Sequence, residues 1–185
     1  MAHILLLYSG VYGHTRRICE RMQAKLTGLG DLVELAPLGE FTADPAGYDA
    51  ILIGASIRNG KHNPAVIDFI ARHKALLDQK PSGFFSVNLV ARKPHKNTPE
   101  TNPYTKAFVA KSPWQPKLLG VFGGDLDYQR YTAFDRNVIR FIMWLTKGPT
   151  DPSTKDEYTD WDEVERFAAR FSDLARGLSA GAPGG

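Results

Sequence analysis

At 185 residues the chain has room for one domain with a full hydrophobic core, and its 43% hydrophobic and 23% charged residues read as a soluble-type globular protein. A single cysteine, Cys19, excludes an internal disulfide framework and fits a reducing compartment. The formal net charge is +3, yet the stretch from Arg92 to Lys117 carries six Lys or Arg against Glu100 alone, a local +5 that calls for an anionic partner.

The first apolar run, Ile4–Tyr8, suits a parallel strand buried on both faces. It is too short, and lacks the basic flank, for a secretory signal. No window approaches the roughly 18 apolar residues of a spanning helix, so the expected location is cytoplasmic, or at most a membrane surface. After Ser9-Gly10 an amphipathic helix is predicted from about Thr15 to Leu29, with Ile18, Met22, Leu26 and Leu29 inward, Cys19 in step with them as a core thiol, and Gly30 as the stop. Leu32–Leu35 is a short strand, followed by a link broken at Gly39, Pro45 and Gly47. Tyr48–Ser56 is a second buried strand leading into Ile57-Arg58-Asn59-Gly60. Asn63-Pro64 starts a helix with Val66, Ile67, Ile70, Leu76 and Leu77 on its packing side. Phe84–Val90 is the third strand. The basic, proline-rich segment follows, with a short helix over Thr105–Lys111. Leu118–Gly124 is the fourth core strand. The last helix spans Asp160–Leu178, opened by an Asp160/Glu163 capping pair and striped by Trp161, Val164, Phe167, Phe171, Leu174 and Leu178. The expected organisation is one domain over 1–178 with a disordered tail at 179–185.

Strands alternating with helices predict an α/β fold, a parallel sheet covered on both faces, with ligands beyond the strand carboxyl ends. The first such loop runs Ser9, Gly10, Val11, Tyr12, Gly13, His14, Thr15. Strand, glycine loop and helix in that order present free amides and a positive helix end to a phosphate. It is not a Walker A loop, because no Lys precedes a Ser or Thr, and it is not a dinucleotide fingerprint, because only Gly10 and Gly13 are present. It resembles the loop by which flavodoxins hold the FMN phosphate. The second and third loops, Ser56, Ile57, Arg58, Asn59, Gly60 and Ser86, Val87, Asn88, Leu89, Val90, Ala91, would flank a flat ring. Gly123 and Gly124, at the end of the fourth core strand, complete the candidate cofactor set. The resemblance implies a flavodoxin-like, doubly wound, five-stranded sheet. The flavodoxin pattern T-x-T-G-x-T has Gly10 and Tyr12 in its first and third positions here, leaving Ser9, Thr15, backbone amides and His14 as donors.

Residues 125–158 form a long insertion in the region of the last strand, which a minimal flavodoxin does not need. Its centre, Asp135–Gly148, reads as a helix with Arg136, Arg140 and Lys147 on one stripe and apolar residues over most of the remainder. A wide apolar arc, a basic stripe and a Trp predict a helix lying in a membrane interface, with Phe141, Trp144 and Leu145 toward the acyl boundary. A buried helix and a contact between copies of the chain are the alternatives.

The stretches AILIGASIRNGKHNPA, FFSVNLVARKPHKNTPETNPY, DYQRYTAFDRNVIRFIMWLTKG and EYTDW closely resemble the menaquinone-dependent protoporphyrinogen oxidases of haem biosynthesis, over nearly the whole chain. SVNLVARKP followed by Thr98-Pro99-Glu100-Thr101-Asn102 carries that resemblance most specifically. It implies FMN-dependent oxidation of protoporphyrinogen IX to protoporphyrin IX, electrons passed to menaquinone, and a peripheral position on the cytoplasmic side of the inner membrane. Arg58, Arg92 and Lys93 are the candidate grips for the substrate propionates, with Lys61 on the same rim. No catalytic residue, proton acceptor, metal site or nucleic-acid function is assigned. An electron-carrier flavodoxin, an FMN-dependent quinone reductase and a binding module that keeps the fold remain the alternatives.

Overall fold

The computed structural model describes residues 1–178, so the tail at 179–185 lies outside the described residues. In chain order the elements are β1 (His3–Ser9), α1 (His14–Gly28), β2 (Leu32–Pro37), β3 (Ala50–Arg58), β4 (Lys61–His62), α2 (Pro64–Arg72), α3 (Lys74–Gln79), β5 (Ser82–Asn88), α4 (Pro103–Lys111), β6 (Leu118–Gly123), β7 (Asp125–Asp127), α5 (Ala133–Leu145), β8 (Lys155–Glu157) and α6 (Trp161–Ala175). Five parallel strands order as β2-β1-β3-β5-β6. The two-residue β4 turns back antiparallel on the end of β3, pairing Ile57 with His62 and Arg58 with Lys61. This hairpin is absent from the sequence reading, although Asn59-Gly60 announces it. Both residues are left-handed (φ 52° and 78°), as a two-residue hairpin turn demands.

Strand side chains alternate between faces, so each central strand serves two cores. Ile4, Leu6, Leu52 and Phe85 meet Ile18, Met22 and Leu26 of α1 and Val164, Phe167 and Phe171 of α6. Leu5, Leu7, Ile51, Ile53 and Phe84 meet Val66, Phe69, Ile70 and Leu77 of α2–α3, together with Phe108 and Trp114. Gly54 makes room for Phe85: a Cβ there would lie 2.2 Å from its Cζ. Cys19 is fully buried, and burial pushes its thiol pKa up, in keeping with a packing role.

Three expected core positions face water instead. Leu29 follows the end of α1 as its C-cap, Leu178 lies beyond α6, and Ile67 falls on the outer side of α2. The helix expected to run on from Pro64 is broken at His73 (φ −110°, ψ 17°), and α3 resumes in a new direction to bury Leu77.

The strand order reverses at β1, whose two neighbours are reached by opposite crossovers, and there the carboxyl ends of β1, β3 and β5 open a crevice. Residues 125–158 follow β6 and rise beside that crevice. They carry a small cluster of Leu126, Tyr128, Tyr131 and Met143, a two-stranded ribbon of β7 with β8, and the helix α5.

Candidate functional site

The first loop leaves β1 at Ser9 and enters α1 through Gly13, which sits at φ 87° as the N-cap. No side chain caps this helix and no acidic residue stands in its first turn. Its leading amides and positive end are therefore available to an anion. Thr15 is buried against Gly10, where a Cβ would come within 2.9 Å of its Cβ and Oγ1. The glycine that departs from the flavodoxin pattern is thus the one on which Thr15 packs. Ser9 is tied back into the fold, its hydroxyl accepting from Asn63 Nδ2 at 3.1 Å and its carbonyl accepting from Ser56 Oγ at 3.5 Å.

His14 has a defined tautomer. Thr159 Oγ1 donates its one proton to the Gly123 carbonyl at 2.6 Å, so it can only accept from His14 Nε2–H, also at 2.6 Å. Nδ1 is then the unprotonated nitrogen of the neutral ring. It is buried, has no hydrogen-bond partner, and stands 3.7 Å from Asp125 Oδ2. Burial lowers the His14 pKa, an effect that Asp125 opposes.

The third loop is held by amides. Asn88 and Asn102 exchange hydrogen bonds at 3.0 and 3.3 Å. Asn88 Oδ1 also accepts from Ala91 N, shaping the turn at Leu89–Arg92. Asn102 Oδ1 accepts from Tyr104 N and Thr105 N to cap α4, and its Nδ2 donates to Lys96 O. The Thr98–Asn102 motif therefore buttresses the loop from behind. His62 completes this support through Nε2 to Ser86 Oγ at 2.9 Å, its rings stacked edge-on to Phe84 and Phe108; burial holds its pKa at about 4.

Helix α5 closes the remaining side of the crevice. At its N-terminus Asp135 accepts from the Tyr12 hydroxyl and from Arg58 Nη2 at 3.0 Å, joining the first and second loops. At its C-terminus Arg92 of the third loop donates to Thr146 O at 3.2 Å and Oγ1 at 2.9 Å, while its other terminal nitrogen donates to Leu89 O. Arg130 adds a bond to Tyr12 O at 2.9 Å. One helix is thus fastened to all three loops. Its inner side presents Val138, Ile139, Ile142 and Met143 to the crevice, whereas Phe134, Phe141, Trp144 and Leu145 are 59–68% exposed on the outside. The expected basic stripe is divided: Arg136 and Arg140 donate to the carbonyls of Tyr128 and Thr150 at 3.0 Å and brace the segment. Lys147 alone of the three has no side-chain hydrogen-bond partner among the described residues, and with Arg92 and Lys96 it lies near Lys93. Desolvation and these like charges lower the Lys93 pKa.

Of the expected cofactor residues, the crevice is lined by Val11, Tyr12, His14 and Thr15, by Ser56–Gly60, by Val87–Val90 and by Gly124. Ser9, Gly10, Gly13, Ser86, Ala91 and Gly123 stand behind or beside it. Gly123 has a packing role, since a Cβ there would reach 2.3 Å from Tyr158 O. Arg58 and Arg92 line the crevice with part of each guanidinium already engaged, and Lys93 lies outside the lining. Tyr104, Asp125, Tyr131, Asp135 and the inner face of α5 line it too, and the sequence reading did not select them. The uncapped α1 N-terminus is chemically suited to a phosphomonoester, and Ile57 with Val87, Leu89 and Val90 gives the crevice an apolar lining of the kind a flat ring takes.

A family model described as a flavodoxin domain matches residues 5–153. A Leishmania major protein named protoporphyrinogen IX dehydrogenase [quinone] is 44% identical over 174 residues, 92% of this chain and 74% of that protein. A protein of the same name from Escherichia coli strain K12 is 40% identical over 171 residues, 92% of this chain and 94% of its own. Among solved structures, a flavodoxin from the domain Archaea superposes with TM-score 0.55 at 11% identity, covering 94% of this chain and 99% of its own. A short-chain flavodoxin associated with a PDU bacterial microcompartment gives 0.56 at 14%, covering 95% and 99%. At such identities these two matches speak for the fold alone.

Proposed function

The chain belongs to the flavodoxin-domain family and, within it, to the protoporphyrinogen IX dehydrogenases [quinone], and on that footing we propose that it is an FMN-dependent oxidoreductase that converts protoporphyrinogen IX to protoporphyrin IX and delivers the electrons to a quinone. The observation that carries the reading is the junction of three strand-end loops and one added helix around a single crevice, in a chain 40–44% identical to those relatives.

FMN bound there supplies the two-electron redox chemistry. The α1 N-terminus, with Thr15 and the 10–14 backbone, holds the phosphate. Ile57 and the Val87–Val90 loop clamp the ring, the latter kept rigid by the Asn88–Asn102 pair. The inner face of α5 excludes water and offers the macrocycle an apolar wall. Arg58 retains a half-exposed guanidinium with free donors, and with Arg92 and Lys93 it receives the propionates at the rim.

The acceptor fits menaquinone, which resides in lipid. No described helix is long and apolar enough to cross a membrane. The exposed Phe134, Phe141, Trp144 and Leu145 of α5, with Lys147 just past the helix end in a basic group with Lys93, support peripheral docking on an anionic bilayer at its cytoplasmic side. A second copy of the chain is the competing occupant of that face, and co-sedimentation with vesicles set against the mass in solution separates the two.

The test of the reading is a spectrum of the purified protein, followed by anaerobic addition of protoporphyrinogen IX and then a quinone. Bleaching of the flavin band and its return are expected. A flavin that protoporphyrinogen leaves oxidised would mark an electron carrier instead.

A further inference from the structure

We infer that Asp135 binds the substrate, its free carboxylate oxygen accepting hydrogen bonds from the pyrrole N–H groups of the porphyrinogen ring; this rests on the reading of the substrate given above.

Asp135 stands in the first turn of α5 and is 2% exposed. It is not needed as a cap, since Thr132 Oγ1 already accepts from the Asp135 amide at 3.2 Å. Oδ2 takes the Tyr12 hydroxyl and Arg58. Oδ1 is buried and has no hydrogen-bond partner among the described residues, although the residue lines the crevice. A buried carboxylate oxygen left unpaired is destabilising by several times the worth of an ordinary hydrogen bond, so a fold retains one chiefly where a ligand completes it. The Tyr12 hydroxyl bond, and after it Arg58, keep this carboxyl below the usual carboxylate range against the opposing effect of burial. Asp135 is therefore an ionised acceptor with little tendency to take the proton it is offered. It orients the ring rather than deprotonating it.

The chemistry of the ligand matches. A porphyrinogen ring carries N–H donors at its centre, no ring acceptor, and a circumference that is apolar apart from its propionates. Apart from Tyr12 and Arg58, which Oδ2 engages, the helix that carries Asp135 lines the crevice with the apolar Val138, Ile139 and Ile142. The other carboxylate in the lining, Asp125, is already paired with Arg130. Propionates at the basic rim and N–H groups on Asp135 would hold the macrocycle at two chemically opposite points. That fixes which carbon bridge faces the flavin and disfavours a ring whose nitrogens are blocked.

The competing occupant of Oδ1 is a hydroxyl of the cofactor, and the test must separate the two. In the FMN-loaded protein, Asp135→Asn should raise KM for protoporphyrinogen IX roughly tenfold, the size of one charge-assisted hydrogen bond, while FMN affinity by fluorescence titration stays within about twofold. The direct readout uses ¹⁵N-labelled protoporphyrinogen IX bound anaerobically to holoenzyme whose FMN has been reduced with dithionite, so that no turnover occurs. Pyrrole N–H resonances should move downfield on binding to wild type and stay near their free positions with Asp135→Asn. An unshifted N–H signal in the bound wild type overturns the inference, and this holds even if the variant does not fold. An Asp135→Asn protein that loses FMN but keeps its KM gives the oxygen to the cofactor. A wild type that neither binds nor oxidises the porphyrinogen instead removes the functional reading on which the inference stands.

Discussion

The sheet with its flanking helices and the 125–158 segment are held by different forces. In the first, β1, β3 and β5 are covered on both sides and nearly every large side chain facing a helix is fully buried. In the second, only Met143 among the apolar residues of α5 is buried. The helix is instead fastened by polar links at its two ends, Tyr12 and Arg58 to Asp135 and Arg92 to Thr146. The first region is stabilised by burial. The second leaves four large apolar side chains in water, a patch that contributes nothing to folding and that packing among the described residues does not cover. Stability and function should therefore separate when the two regions are perturbed.

The largest expected effect lies in the first region. Phe171→Ala removes a fully buried ring and should lower unfolding free energy by about 3–5 kcal/mol in denaturant titrations. A loss below 1 kcal/mol would mean that the α6 face is far looser than its packing indicates. Next, Gly13→Glu places a side chain at φ 87° and a negative charge at the phosphate end of α1. FMN affinity should fall by about a hundredfold or more, with a smaller change in fold stability. A variant that purifies folded and as yellow as wild type would contradict the phosphate assignment.

Acid sharpens the contrast further. His62 has a native pKa of about 4 because of burial, against an ordinary value of 6.5. Below pH 6.5 the unfolded chain binds a proton that the native chain refuses, so this contribution is complete above pH 6.5 and is lost as pH falls toward 4. The loss should be on the order of 2–3 kcal/mol and absent in His62→Gln. His14, also lowered by burial, adds in the same direction. Equal acid sensitivity in His62→Gln would assign the effect elsewhere.

The smallest stability changes belong to α5. Lys147 holds the left-handed position after the helix (φ 57°), with Gly148 N bonded back to Met143 O at 2.7 Å. Lys147→Gly should raise stability by about 0.5–1 kcal/mol and yet weaken binding to anionic vesicles. Replacing Phe141, Trp144 and Leu145 together by Ser should leave unfolding within about 0.5 kcal/mol, while abolishing vesicle co-sedimentation and slowing menaquinone but not a water-soluble acceptor. If that variant is strongly destabilised, or still sediments, the face is core or a contact between copies.

The same division sets what could be read before the fold was known. Buried parallel strands are continuous apolar runs, so the existence and order of β1, β3, β5 and β6 were legible. Yet β3 (Ala50–Arg58) and β5 (Ser82–Asn88) lie two residues away from the expected Tyr48–Ser56 and Phe84–Val90, because an apolar run does not mark where ladder pairing begins and ends. Leu29, Ile67 and Leu178 were misplaced because helix periodicity says nothing of where a helix stops, bends or ceases to touch the sheet. The α5 pattern announced a wide apolar face but not which side meets the crevice, since that is decided by Asp135 and Arg92 reaching loops many residues distant. Asp135 itself carries no local signature. Its partners Tyr12 and Arg58 come from two other strand ends, and only the assembled sheet brings them together. Asn102 was recognisable as part of a motif, while its task of pairing with Asn88 required the same assembly.

The most direct measurement is rapid anaerobic mixing of the FMN-loaded protein with protoporphyrinogen IX, monitored at the flavin band and by porphyrin fluorescence. The expected result is flavin bleaching on mixing, which accounts for two of the six electrons that separate porphyrinogen from porphyrin. When a quinone is then added, the band should recover, with porphyrin fluorescence rising to one porphyrin per three quinones reduced. A flavin that stays oxidised on mixing, with porphyrin forming no faster than in buffer once the quinone is present, would contradict the proposed activity.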